Sequence, residues 1–242
     1  MSRPLGVAGV AALVTGLLLA SCDGLFPTSD RPATALDFPE PDRPVARVVS
    51  NQFADEDARD ERDEARIVMD LADIQPGMTV ADIGAGEGYY TVRLADRVGV
   101  EGRVLAQDID WEALERLGQR VERERLENIS IKPGRVDDPQ LPADSFDRIL
   151  LVHMYHEVGE PYAFLWRMWP ALTAGGEIVV VETDRSVARH GMPHALLFCE
   201  FEAVGYSLIE YIERPDIKGY FARFGKGEAR VEPEAIEPCS AA

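Results

Sequence analysis

Between residues 78 and 224 the chain alternates short apolar runs with amphipathic stretches, and this alternation constrains the fold more than any other feature. The runs at 78–83, 103–107, 129–132, 146–152, 177–182, 207–212 and 219–224 read as strands. The stretches at 88–98, 111–125, 162–172 and 195–204 read as helices. The run at 146–152 is almost continuously apolar, as expected of a strand covered on both faces. Strands separated by helices predict an α/β, Rossmann-like, doubly wound and mostly parallel seven-stranded sheet, with helices on both faces. A leading helix is predicted over 54–74. Ile67, Val68, Leu71 and Ile74 lie on one side of it, and Gln75-Pro76-Gly77 closes it. The acidic and Arg residues of 55–66 read as its solvated face.

In such a sheet, ligands bind beyond the carboxyl ends of the strands. The first strand ends in Asp82-Ile83-Gly84-Ala85-Gly86-Glu87-Gly88. Glycines at alternate positions let the backbone turn tightly and approach a ligand. A phosphate-binding P-loop would need a Gly-Lys-Ser/Thr ending, which is absent. A dinucleotide fingerprint would need its third glycine one residue later. Asp82 and Glu87 would also repel a pyrophosphate. They suit a ligand carrying an ammonium and a sulfonium.

The Asp82-x-Gly84-x-Gly86-x-Gly88 pattern resembles the first motif of class I S-adenosylmethionine-dependent methyltransferases. The resemblance implies that family's fold and S-adenosylmethionine as cofactor. It implies that Gly84, Gly86 and Gly88 wrap the methionine end and that Asp82 helps to hold the amino group. Asp108 ends the second strand, where a carboxylate can accept hydrogen bonds from two ribose hydroxyls. Its neighbour Ile109 belongs with the cofactor in the same resemblance. Asp110 suits a helix N-cap before Trp111. The segment Gly134-Arg135-Val136-Asp137-Asp138, followed by Ser145-Phe146-Asp147, is similar to the family's adenine loop and its entry to strand four. That implies a contact from Asp137 or Asp138 to the adenine amino group.

The methyl acceptor is expected at the end of the fourth strand, within 151–158. His156 is the leading candidate for acid/base or acceptor contact, against a plain backbone-bonded helix-start role. His153 and Tyr155 are the other catalytic candidates, with the alternatives of a last strand residue and a ring packed over the cofactor. The Asn/Asp-Pro-Pro-Tyr pattern of amino-group methylases is missing, which argues against adenine, cytosine or glutamine acceptors. His190 and His194 stand four apart, but Gly191 and Pro193 interrupt a helix there and no third ligand is in view. No metal site is expected.

Residues 5–20 carry no charge, Arg3 precedes them, and Leu19-Ala20-Ser21-Cys22 follows as a small-residue site. This resembles the signal and lipobox of bacterial lipoproteins, which implies lipidation of Cys22 and a lipid anchor in the cell envelope. Asp23 points to the inner membrane, on its periplasmic side. Without such a signal the chain would be cytoplasmic. The expected organisation is a signal peptide at 1–21, a Pro-rich tether at 22–50, the methyltransferase-like domain at 51–225 and a tail at 226–242. A formal charge of −18 opposes nucleic-acid binding, which leaves a small molecule as the partner. Cys199 reads as a buried thiol. A bond to Cys239 suits an oxidising compartment, although the spacing does not demand one.

These readings pull apart, because S-adenosylmethionine is made in the cytoplasm and the signal exports the domain. Three functions stay open at this point. They are a methyltransferase for a small or lipid-like acceptor, an inactive anchored binding protein, and a nicotinamide oxidoreductase.

Overall fold

The computed structural model describes residues 31–47 and 56–240. The signal segment, Cys22 and the rest of the Pro-rich stretch lie outside the described residues. Seven strands form one sheet: β1 (Thr79–Ile83), β2 (Arg103–Asp108), β3 (Ile129–Pro133), β4 (Phe146–Val152), β5 (Leu172–Glu182), β6 (Tyr206–Arg214) and β7 (Gly219–Lys226). Their order is β3-β2-β1-β4-β5-β7-β6. All neighbours pair in parallel except β7, which is antiparallel to both β5 and β6. The helices are α1 (Glu56–Asp60), α2 (Glu64–Leu71), α3 (Tyr89–Val98), α4 (Trp111–Glu124), α5 (Pro161–Met168) and α6 (His194–Val204). Among the described residues, no helix is long and apolar enough to cross a membrane.

The near-continuous apolar strands are explained by two cores. Ile149, Leu151, Ile178 and Val180 face one core with α5 and α6. Leu150, Val179 and Val181 face the other with α2 and α3. Side chains alternate across a pleated strand, so a strand buried on both faces needs apolar residues at every position.

The structure departs from the sequence reading in three places. The leading helix is two helices, broken at Asp63, which sits at φ +54. Its charges are not all solvated, since Arg59 and Glu64 are buried. The stretch 31–47 packs on the domain and is no tether there. Ala35, Phe38 and Ala46 enter the core, and Phe38 meets the edge of Trp166. Arg31 holds Glu160 through two bonds of 2.7 Å, and Arg43 holds Glu200 at 2.6 Å with both side chains fully buried. The stretch after 225 is no loose tail up to residue 240. Ile236 and Cys239 are buried, Trp166 donates its ring N–H to Val231 O at 3.1 Å, and Cys199 and Cys239 form a disulfide. Proline content does not keep a segment off the core: 31–47 carries a short 3-10 turn at Ala33–Ala35, and ion pairs and apolar side chains fasten it to the domain.

Candidate active site

The chain leaves β1 for β2 on one side and returns for β4 on the other, which opens a crevice beyond the carboxyl ends of β1, β2 and β4. A cavity of about 370 Å³ occupies it. The glycine turn, the end of β2, the Arg135–Val136 turn, the segment after β4, part of α1 and Val45 form its walls.

The turn is built from left-handed backbone. Gly84, Gly86 and Gly88 have φ of +69, +55 and +90. Such angles suit glycine because it lacks the Cβ that would meet the backbone. The three glycines differ in surroundings. A Cβ on Gly84 would lie 2.9 Å from Met154, and one on Gly88 would lie 2.4 Å from Leu117. A Cβ on Gly86 would meet nothing within 4 Å, so Gly86 faces the open cavity. Gly84 and Ala85 donate their N–H groups to Gln107 O at 2.8 and 3.0 Å, which ties the turn to β2.

Asp108 lines the cavity with its carboxylate fixed from both sides. Gly86 N–H donates to Oδ2 at 2.8 Å and Asp110 N–H donates to Oδ1 at 2.9 Å. Its remaining lone pairs can accept from ligand hydroxyls. Asp110 caps α4 by accepting from Glu112 N and Ala113 N at 2.9 and 3.3 Å, and Ile109 is exposed at the cavity wall.

Three acids expected at the cofactor stand elsewhere. Asp82 is 3% exposed and is not a wall residue. It accepts the Thr91 hydroxyl at 2.5 Å, so it braces α3 under the turn. Burial pushes its carboxyl up to about 6, against the Thr91 bond and the nearby Arg59, which favour the charged form. Asp137 turns inward to Arg167 and the Thr34 hydroxyl, both at 2.6 Å. Asp138 accepts from Gln140 N at 2.7 Å and closes a tight turn. Arg135 and Val136 reach the cavity from this loop instead. Local turn geometry decides this, because Arg135 N–H and Asp138 O bond each other at 2.8 Å and swing the residues before the acids outward.

The segment after β4 separates the three expected catalytic residues. His153 lines the cavity from a left-handed backbone at φ +54. Its Nε2 lies 3.7 Å from Glu64 Oε1. Burial is the main cause that lowers its pKa to about 4, so the ring is neutral at pH 7. Tyr155 does not reach the site. It is fully buried and donates its hydroxyl to Glu200 Oε2 at 2.8 Å. His156 is also buried and stands behind the wall, with Nδ1 at 2.9 Å from both oxygens of Glu182.

Several site residues escaped the sequence reading. Arg59 lines the cavity, packs its guanidinium 3.8 Å from the Tyr89 ring centre, and donates to Glu64 Oε1 at 3.0 and 2.6 Å. Nothing local marks it among many surface arginines. Glu182 ends β5 as Asp108 ends β2, so an acid closing an apolar strand was the available signal. Of the acids on the wall, Glu56 is paired with Arg93 and Arg120 and Glu87 with Arg116, which leaves Asp108, Asp110 and Glu157 facing Arg135 and an Arg59 that is itself paired with Glu64. The cavity therefore favours a ligand with hydroxyls and positive charge, beside apolar surface from Val45, Met154, Val158 and Phe164.

A family model described as a methyltransferase domain matches residues 80–176. The chain is 34% identical over 119 residues to a ubiquinone/menaquinone biosynthesis C-methyltransferase of Methylococcus capsulatus, covering 48% of each chain. It is 35% identical over 86 residues to nocamycin O-methyltransferase of Saccharothrix syringae, covering 36% of this chain and 31% of that one. The chain thus spans about half the length, or less, of these curated relatives. A SAM-dependent methyltransferase from Aquifex aeolicus superposes with a TM-score of 0.63 at 21% identity, over 69% of this chain and 90% of that one. The fold is the Rossmann-like class I methyltransferase fold.

Proposed function

We propose that this methyltransferase domain transfers a methyl group from S-adenosylmethionine to a small, largely apolar acceptor that brings its own acidic O–H or C–H. The observation that carries the reading is the acidic, glycine-turned crevice with the fixed Asp108 carboxylate. The residues present fit the cofactor. Gly86 offers open space above its backbone, Asp108 has lone pairs left for a diol, and Asp108, Asp110 and Glu157 stay acidic on the wall after Glu56 and Glu87 are paired with arginines. When bound, S-adenosylmethionine supplies an electrophilic methyl group on a sulfonium.

The chain's residues then orient and exclude water. Gly84 to Gly86 would present the backbone to the cofactor, Asp108 would accept from its ribose, and Arg135 and Val136 would line its adenine end. Neutral His153 adds no positive charge beside a sulfonium. With a pKa near 4 it is a weak base, so it accepts a hydrogen bond from an acceptor and does not strip a reluctant proton. An enol or phenol that gives its proton to water as the new bond to the methyl carbon forms and S-adenosylhomocysteine leaves answers that requirement, and the C- and O-methyltransferases among the relatives support this class. Val45, Val158 and Phe164 shield the acceptor side. Calorimetry on the full chain tests the reading. S-Adenosylmethionine and S-adenosylhomocysteine are expected to bind, and Asp108→Ala to weaken both by about 10- to 100-fold, as expected for losing one charge-assisted hydrogen-bond acceptor. No binding to the parent protein would remove the proposal.

We also propose that the protein is lipid-anchored through Cys22 in the cell envelope. The Leu19-Ala20-Ser21-Cys22 site and the Cys199–Cys239 disulfide support this, since disulfides persist in oxidising compartments. Palmitate labelling is expected in the parent and absent in Cys22→Ala. An unlabelled parent would remove the lipid anchor.

A further inference from the structure

Behind the acceptor wall lies a cluster that the methyl-transfer reading does not use. His156 follows β4 in the short helical turn Tyr155–Glu157 and is 1% exposed. Glu182, at the end of β5, is equally buried. Its two carboxylate oxygens straddle His156 Nδ1 at 2.9 Å each, and Oε1 also accepts the His156 backbone N–H at 3.3 Å. An acceptor pair on one ring nitrogen places the proton there. In the neutral ring Nε2 then carries the lone pair. Among the described residues Nε2 has no hydrogen-bond partner, although it is buried. An unsatisfied buried nitrogen is costly and rare, so it points to a ligand.

The lone pair faces a second carboxylate and a second imidazole. Glu157 Oε1 lies 3.9 Å from His156 Nε2. The His190 ring stands edge-on to His156, with centres 5.7 Å apart. One ligand atom from each of His156, Glu157 and His190 lies within 4.8 Å of the other two. In a tetrahedral shell with bonds of about 2.0–2.1 Å, such atoms stand about 3.3 Å apart. Glu157 and His190 are half-buried, and the three ligand atoms would have to draw together by up to about 1.5 Å to form such a shell. His190 is presented from a left-handed backbone at φ +54, and its carbonyl accepts from the Arg185 guanidinium at 2.8 and 3.0 Å. That bond ties Arg185 to the loop that carries His190. His194, four residues on, turns away to Asp184 at 2.8 Å.

We propose that His156, Glu157 and His190 bind a divalent first-row transition ion, with Glu182 orienting His156 from behind. A carboxylate that fixes the tautomer and raises the basicity of a ligating imidazole is the recurrent companion of such ions. Two nitrogens and one carboxylate oxygen suit zinc(II) or iron(II) over magnesium or calcium. Three protein ligands leave coordination positions open. Glu157 also lines the cavity, so an open position faces the acceptor side. There the ion would take an acceptor oxygen and lower its pKa, a role that rests on the methyl-transfer reading, whereas the site itself does not.

The test uses the full chain without a histidine tag, stripped with EDTA and titrated with zinc(II), with magnesium as control. One equivalent of zinc is expected to bind, and magnesium is not. His190→Ala changes a half-buried loop residue and is expected to weaken zinc binding at least 100-fold with the circular dichroism spectrum unchanged. Glu182→Gln is expected to weaken it 10- to 100-fold, and His194→Ala to leave it unaltered. X-ray absorption is expected to show two imidazoles and one carboxylate. Absent stoichiometric binding, or equal affinity in His190→Ala, overturns the site. Zinc binding without S-adenosylmethionine binding supports the site and sinks the transfer reading. The converse overturns the site alone.

Discussion

The two sides of the crevice are built by different means. Apart from Arg135 and Val136, the cofactor side is one continuous stretch from Asp82 to Asp110, held by backbone hydrogen bonds of about 3 Å and by the signs of three φ angles. The acceptor side is assembled from 31–47, 56–64, 153–159 and 182–190, and buried charges hold it together. Arg43 reaches Glu200 across 157 positions of sequence, and Arg31 reaches Glu160 across 129. A motif can encode the first kind of site, because each residue's partner lies within a strand and a turn. The second kind depends on pairs that the topology alone brings together. The acceptor side should thus be the easier to destroy by a single distant substitution.

Arg43→Ala is expected to have the largest effect on stability. Its Nε meets Glu200 Oε1 at 2.6 Å, its Nη2 donates to Val158 O at 2.9 Å, and neither side chain of the pair is exposed. Removing the guanidinium strands a buried carboxylate that keeps only the Tyr155 hydroxyl, at a cost of about 3–5 kcal/mol. Urea denaturation is the measure. Arg43→Met combined with Glu200→Leu is expected to recover most of the loss, because it removes both charges and keeps volume. A cost below about 1 kcal/mol for Arg43→Ala would show that 31–47 does not fasten the acceptor wall.

Asp82→Asn sharpens the contrast from the cofactor side, with opposite sign. Asp82 titrates near 6 in the fold against an ordinary 3.8. The fold thus favours the neutral acid. That contribution is fully present below about pH 3.8 and is lost as pH rises through 6. At pH 8 the buried carboxylate is ionised, at a cost on the order of 3 kcal/mol. Asn keeps an acceptor for Thr91 and removes the charge, though its amide donor has no obvious partner. The variant is expected to exceed the parent in stability by up to about 2 kcal/mol at pH 8, with the gap closing or reversing below pH 4. Equal differences at both pH values would contradict the burial argument.

The same contrast explains what the sequence made legible. All seven strands were legible as short apolar runs, most plainly β4 and the second half of β5, which are buried on both faces, whereas β3 and β6 at the sheet edges are largely part-exposed. Asp110 was legible as the cap of α4 because a cap is a local geometry, and Asp108 as a cavity-wall residue because it ends β2. Asp137 was not legible, since its partners Arg167 and Thr34 lie 30 and 103 positions away. Tyr155 and His156 look alike as polar residues after a strand, and only Glu200 and Glu182, on later elements, decide what each does. The packing of 31–47 was hidden because prolines and scattered charges carry no period.

The glycines of the turn offer the finest test, since they share one conformation and differ only in what surrounds them. Gly88→Ala sets a Cβ 2.4 Å from Leu117 Cδ1, a buried side chain of α4, at φ +90. Overpacking and left-handed strain together are expected to cost about 2–4 kcal/mol of stability. Gly86→Ala meets nothing within 4 Å and is expected to cost about 1 kcal/mol, the left-handed strain alone. Its Cβ enters the cavity, however, where the Gly86 N–H already holds Asp108. Gly86→Ala is therefore expected to cost more in S-adenosylhomocysteine affinity than in stability, and Gly88→Ala the reverse. Paired calorimetry and urea denaturation on the two variants would show whether the open side of the turn is the ligand side, and an affinity unchanged in Gly86→Ala would place the ligand elsewhere in the crevice.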